Sequence, residues 1–313
     1  MEYLKLRNAD LTVSRICMGG CPMGMYGWGK TYEEDFLAAI REAFDLGVNF
    51  FDTADVYGLG QSERILGKGL GKRRKDVVIQ TKFGVKIFDG KKTYDSSPAY
   101  LDVALDRTLT RLRTDYVDVY VVHYWDEVTP PDEIVAELER QRDAGKIRYF
   151  GLSNVDLAQL PAWKPFRGLF VTVQNQFSLA YRRHEEELRS AAATLDSNIA
   201  TWGSLGQGVL SGKYDENVSF PADDRRSRDV YVNFHGEKLK RNLKIVEAMK
   251  PIAEAHGHTL SSVAIRFILD ALKDSIAITG VKRPEQLADV SRCAGWSLSS
   301  EELRLLDQIS REA

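Results

Sequence analysis

The chain has 313 residues, with 43 Lys+Arg against 45 Asp+Glu and a formal net charge of −2. That near-balance argues against a nucleic-acid binder working through a broad basic face, and 43% apolar with 28% charged residues is a globular rather than a disordered profile. Three cysteines and no N-terminal apolar signal point to a reducing compartment, the cytoplasm, and no apolar run is long enough to span a bilayer.

Tyr3–Leu6 and Leu11–Val13, around Asn8-Ala9-Asp10, predict an opening hairpin. Eight short, largely apolar runs follow: Ile16–Gly19, Val48–Asp52, Val77–Lys82, Val117–His123, Ile147–Gly151, Leu169–Gln174, Ile199–Trp202 and Ser275–Ile278. Such runs suit strands buried on both faces of a parallel sheet. Helical patterns lie between them. Thr31-Tyr32-Glu33-Glu34 reads as a capping box ahead of the stripe Phe36, Leu37, Ile40 and Phe44, with Gly47 just past the helix end. Ser97-Pro98 predicts a cap followed by proline at the first helical position, and Thr129 with Pro130 and Pro131 opens the next helix. Residues from Gly203 to about Gly236 form a long polar loop rich in Gly and Arg, a length that usually signals function. Leu260, Val263, Ala264, Phe267, Ile268 and Ala271 make another stripe, and Ser299-Ser300-Glu301-Glu302 is a second capping box. Eight strand–helix units predict an α/β fold, a (β/α)8 TIM barrel with an N-terminal β-hairpin, as one domain over residues 1–313.

Chemistry in such a barrel sits at the C-terminal ends of the strands. Asp52 ends the second run, Tyr57 lies five residues on, Lys82 ends the third and His123 the fourth. Singly, each has an ordinary reading as a turn cap, a packed ring, a strand end or a core histidine; together on adjacent strands they suggest a site. A tyrosine hydroxyl protonates a developing alkoxide, a nearby ammonium stabilises the phenolate, a carboxylate holds the ammonium, and an imidazole orients a carbonyl oxygen. That is apparatus for carbonyl reduction, with the hydride coming from a cofactor.

Phe51-Asp52-Thr53-Ala54-Asp55-Val56-Tyr57-Gly58, Thr81-Lys82, Val122-His123, the stretch from Gly145 to Asn154, and Val173-Gln174-Asn175-Gln176-Phe177-Ser178 occur in an order that resembles the aldo-keto reductases over nearly the whole chain. The stacking tryptophan is similar to that of the potassium-channel beta-subunit-like branch. The resemblance implies NAD(P)H as cofactor and Tyr57 as general acid/base. It implies that Ser153, Asn154 and Gln174 hold the nicotinamide carboxamide and that Trp202 stacks on the ring. Gly20, Asp52, the loop Gly203, Ser204, Leu205, Gly206, Gln207 and Gly208, Lys213, Gly280, Lys282 and Gln286 would complete the cofactor site. Lys282, Arg283 and the cluster Arg225, Arg226 and Arg228 could pair with a 2′-phosphate, which favours NADPH over NADH. The sequence departs from the family where Gly203-Ser204 replaces Ser-Pro and where Val290 replaces an adenine-contacting Asn.

Substrate-pocket candidates are Met23, Tyr26, Trp28, Tyr57, Phe88, His123, Tyr124, Trp125 and Tyr231, which suit a bulky or cyclic carbonyl. Cys17-x3-Cys21 lacks a second ligand pair, so no metal site is expected. Gly58-Leu59-Gly60 lacks the third glycine of a dinucleotide fingerprint and reads as a turn. The expected partner is a small carbonyl substrate, without nucleic acid or membrane, for a chain that is monomeric by default. A nicotinamide-sensing regulatory subunit and a sugar dehydrogenase running in the oxidative direction are the alternatives.

Overall fold

The computed structural model describes residues 1–312. Strands β1 (Tyr3–Lys5) and β2 (Thr12–Ser14) pair antiparallel, followed by β3 (Ile16–Gly19), α1 (Glu33–Asp45), β4 (Phe50–Asp52), α2 (Gln61–Leu70) and β5 (Val78–Phe83). A second antiparallel hairpin, β6 (Val85–Phe88) and β7 (Lys91–Tyr94), precedes α3 (Pro98–Leu112), β8 (Val117–Val122), α4 (Pro131–Asp143), β9 (Ile147–Ser153), α5 (Leu160–Trp163) and β10 (Phe170–Gln176). The chain ends with α6 (Glu185–Leu195), β11 (Asn198–Trp202), α7 (Gly236–His256), α8 (Leu260–Ala271), β12 (Ser275–Gly280), α9 (Pro284–Ser291) and α10 (Ser300–Arg311). Eight parallel strands close in the order β10-β11-β12-β3-β4-β5-β8-β9, which is the expected (β/α)8 barrel with its N-terminal hairpin.

Local signals explain several of the boundaries. The Ser97 hydroxyl accepts from the Tyr100 amide with Pro98 behind it, and Ser299 and Glu302 exchange both bonds of a capping box. Gly47 takes φ +75° just after α1, as a residue past a helix end should. Two caps differ from expectation. Helix α1 starts at Glu33 with Tyr32 at its N-cap and no side-chain cap bond, so the Thr31 box does not form. Pro130, not Thr129, occupies the N-cap of α4, and the Thr129 hydroxyl donates to Asp126 instead. The long segment after β11 is not bare loop: it carries 3-10 turns at Gly206–Ser211, Arg225–Ser227 and Val232–Phe234. The β6–β7 hairpin was not expected, although Asp89-Gly90 at its tip, both at positive φ, is a strong hairpin signal.

Alternation along the strands divides the barrel interior into storeys. The floor is apolar: Leu6, Leu11 and Val13 of the opening segment pack with Cys17, Phe50, Val78, Val119, Val171, Ala200 and Ile276. A register shift between Phe170 and Thr172 lets Val171 join this floor while Thr172 reaches across to Gln80 above it. Two residues further along β4 and β5 stand Asp52 and Gln80, and one alternation higher on β5 stands Lys82. Among the described residues no helix is long and apolar enough to cross a membrane.

Candidate active site

Asp52, Lys82, Tyr57 and His123 come together at the C-terminal mouth of the barrel. The Lys82 and Asp52 side chains are 3% and 4% exposed, and Lys82 Nζ lies 2.6 and 2.7 Å from the two Asp52 oxygens. The same ammonium donates to the Thr53 carbonyl at 2.9 Å and to Tyr57 Oη at 3.4 Å. Asp52 Oδ2 also accepts from Gln80 Nε2 at 3.0 Å and Gln174 Nε2 at 3.4 Å, while Thr172 Oγ1 donates to Gln80 Oε1 at 2.8 Å. A buried ion pair survives when its remaining hydrogen-bonding capacity is met, and this polar storey meets it. Gln80 and Thr172 were missed from the sequence. The signal was there: both are polar positions at strand period inside apolar runs.

Burial, with the Asp52 charge adding to it, pushes the Tyr57 phenol well above its ordinary value, so its proton is present at neutral pH. Burial, then the charges of Lys82 and Lys92, hold His123 well below the ordinary histidine range. The imidazole is therefore neutral, and its Nδ1 is buried without a partner. Its ring stands edge-on to Tyr57 with centroids 6.0 Å apart. This set offers a proton at Tyr57 Oη, a cation beside the phenolate that its loss would leave, and a neutral imidazole beside both.

The remaining candidates fall into groups. Ser153 and Gln174 are register partners on β9 and β10, and Asn154, at φ +56°, donates to the His123 carbonyl. Gln174 Oε1 and Trp202 Nε1 are buried polar atoms without a protein partner, which fits a site built to receive an amide and a ring. Gly20 is boxed in, because a Cβ there would lie 2.6 Å from Ser62 Oγ. Gly206, Gln207 and Gly208 all take positive φ in the turn after Gly203, while the Ser204 hydroxyl donates to the Ile278 carbonyl. The Lys282 ammonium donates to the Trp28 carbonyl, and the Lys282 amide donates to Gln286 Oε1. Arg226, Arg283 and Lys213 lie near enough for their charges to act on Lys282, which burial first and these charges next depress. A Cβ on Gly280 would sit 3.1 Å from Pro22.

The three arginines of the long loop divide, with Arg225 and Arg228 both at Tyr26 and Arg226 elsewhere. Arg226 pairs with Asp224 at 2.6 Å, Arg228 donates to Tyr26 Oη, and Arg225 lies over the Tyr26 and Trp28 rings. Among the pocket candidates, Trp28 meets Tyr231 edge-on, and Tyr124 stacks on Tyr94 and lies tilted against His123. Phe88 is 82% exposed at the hairpin tip. Trp125 packs edge-on against the fully buried Trp163 and donates to the Thr129 carbonyl, so its ring serves the outer layer. Met23 is buried in the core. Among the described residues no three His, Cys, Asp or Glu gather as metal ligands would.

Residues 15–311 match the aldo/keto reductase family. The chain is 33% identical to the aldo-keto reductase YhdN of Bacillus subtilis over 99% of this chain and 93% of that protein. It is 32% identical to the aldo-keto reductase yakc [NADP(+)] of Schizosaccharomyces pombe over 86% and 81%, and 32% identical to a probable voltage-gated potassium channel subunit beta of Oryza sativa over 92% and 90%. A solved glycerol dehydrogenase of Gluconobacter oxydans superposes with a TM-score of 0.88 at 30% identity, covering 99% of this chain and 95% of that one. With the family match spanning the barrel and the ordered segments from Asp52 to Gln286 inside it, the chain belongs to the aldo/keto reductase family.

Proposed function

We propose that this protein reduces an aldehyde or ketone to an alcohol, with NADPH as the hydride source and Tyr57 as the proton donor. One observation carries the reading: Lys82 Nζ, held by both Asp52 oxygens and the Thr53 carbonyl, stands 3.4 Å from Tyr57 Oη. As the carbonyl oxygen gains charge, Tyr57 Oη gives it a proton, and the Lys82 ammonium stabilises the phenolate left behind. Asp52 fixes that ammonium, and the neutral His123 ring orients the carbonyl oxygen through a hydrogen bond. Run backwards, the same groups oxidise an alcohol, the direction named for the Gluconobacter relative.

The residues fit a nicotinamide dinucleotide. Gln174 with its unpartnered oxygen, Ser153 and Asn154 would hold the carboxamide, and Trp202 would lie against the ring. Lys213, Lys282 and Arg283 would meet the phosphates, whose extra 2′ charge favours NADPH; the NADP(+) in the yeast relative's name supports the same choice. When bound, the cofactor supplies the hydride.

The test is Tyr57→Phe assayed with NADPH and a panel of simple aldehydes and diketones. Turnover should fall by about 10²- to 10⁴-fold while NADPH still quenches tryptophan fluorescence. Turnover at the wild-type rate in this variant overturns the reading.

A further inference from the structure

The Tyr57 pocket carries two cations that the reduction chemistry does not use. Arg225 reaches it from the long loop. Its backbone amide donates to the Gly27 carbonyl, and its guanidinium lies 5.0 Å from the Tyr26 ring centre and 5.8 Å from that of Trp28. Its Nε is buried without a partner, and among the described residues no carboxylate pairs with it. Several arginines with mostly buried side chains are each matched by a carboxylate: Arg74 with Asp118, Arg111 with Glu63, Arg182 with Glu185 and Arg266 with Glu2. Lys92 lies exposed on the β6–β7 hairpin. Its ammonium stands 4.2 Å from the Tyr124 ring centre, and the Tyr124 ring lies tilted against His123 with centroids 5.1 Å apart. It too has no carboxylate partner among the described residues. The charge of Arg225 acts on Tyr57 and Cys21, and that of Lys92 on His123.

A half-buried guanidinium without an acid is costly, and aromatic faces offset only part of that cost. The remainder is offset when an anion arrives, and a planar fork suits a carboxylate or phosphate. We propose that the substrate is an aldehyde or ketone carrying an anionic oxygen group, held by Arg225 with Lys92 as a second contact at the rim. This rests on the reading that the Tyr57 site reduces carbonyls. It also moves Arg225 from the cofactor phosphates, where the sequence placed it, to the substrate.

The test compares two aldehydes of nearly the same shape, 4-carboxybenzaldehyde and the neutral 4-nitrobenzaldehyde, with saturating NADPH. The nitro compound is the more electrophilic, so chemistry alone favours it. The expected kcat/KM is about tenfold or more in favour of the carboxylate, since a charged hydrogen bond carries that much discrimination. Arg225→Met should collapse this ratio, mainly through KM, with Arg225→Lys restoring part and Lys92→Met giving a smaller loss. Glyceraldehyde 3-phosphate against glyceraldehyde separates a phosphate preference from a carboxylate one. No charge preference in either pair overturns the inference while leaving the reductase reading intact. Equal losses on charged and neutral substrates in Arg225→Met, together with a raised KM for NADPH, would return Arg225 to the cofactor and also overturn it. If neither aldehyde turns over, the reductase reading fails. Calorimetric binding of the same two aldehydes to the NADP+ complex then decides the charge question by itself, and equal binding overturns the inference.

Discussion

The two ends of the barrel are built from the same strands and do opposite work. At the N-terminal end, Phe50, Val78 and Val119 meet Leu6, Leu11 and Val13 in an apolar floor. Two to four residues further along those strands, Asp52, Gln80, Lys82 and His123 fill the same interior with groups that each need a partner. The floor stabilises by area, at roughly 1.5–3 kcal/mol for each buried large side chain. The mouth stabilises only as a complete set, and it leaves Gln174 Oε1, Trp202 Nε1 and His123 Nδ1 open. These three unmatched polar atoms lie at the mouth, above a floor that is apolar.

The sharpest way to break this contrast is one substitution at each end. Phe50→Ala should cost about 3–5 kcal/mol of unfolding free energy through its cavity. Its kcat, corrected for folded fraction, should remain near wild type. Lys82→Met should cost a similar amount, about 3–5 kcal/mol, by leaving the Asp52 carboxylate buried without its cation. Unlike the floor variant, it should also abolish turnover. Urea denaturation with parallel assays measures both, and a Phe50→Ala protein that folds yet is inactive would show that the ends are not separable.

A smaller effect concerns Asp55, between Asp52 and Tyr57. Its Oδ2 accepts from Tyr100 at 3.3 Å, while Oδ1 is buried without a partner. Burial, then the nearby Glu63 charge, raises its carboxyl from 3.8 to about 7. A raised carboxyl favours the folded state most when protonated. Its contribution is complete below pH 3.8 and is lost as pH rises through about 7. Asp55→Asn removes that loss, so the variant should gain on wild type by of order 1 kcal/mol or more between pH 5 and pH 8. Melting curves across that range check it; parallel profiles for the two proteins would show that Asp55 does not titrate there.

The barrel was legible because fully buried parallel strands read as apolar runs, and each of the eight runs overlaps an observed strand. The errors gather at the mouth. The runs stopped at Gly151, Gln174 and Ile278, whereas the strands continue to Ser153, Gln176 and Gly280. An apolar pattern ends where the strand begins to serve the site, although the backbone ladder goes on. Asp52, Lys82 and His123 were legible as residues at strand ends, and Tyr57 as the phenol five residues past the first of them. The direction of Arg225 was not: three arginines within four residues look alike, and only the turn at Arg225–Ser227 sends them to Asp224, Tyr26 and Trp28. Lys92 was hidden because its hairpin was.

Helix capping gives the smallest test of the same contrast. Thr31-x-x-Glu34 and Ser299-x-x-Glu302 are the same pattern, but only the second forms. The Ser299 turn lies on a surface helix, where a local bond decides the boundary. Thr31 ends the loop that carries Gly27 against Arg225 and the Trp28 carbonyl against Lys282. Glu33 at the start of α1 bonds Lys68 of α2 at 2.5 Å, and Phe36 is wholly buried in the core. A cap contributes about 1 kcal/mol, less than burying one large apolar side chain, so at the mouth the packing sets where the helix begins. Ser299→Ala should therefore lower stability by about 1 kcal/mol, and Thr31→Ala should stay within about 0.5 kcal/mol of wild type. An equal loss for both would mean that the loop at the barrel mouth obeys the same local rule as the surface, and that its departure from the capping pattern has no connection with the site.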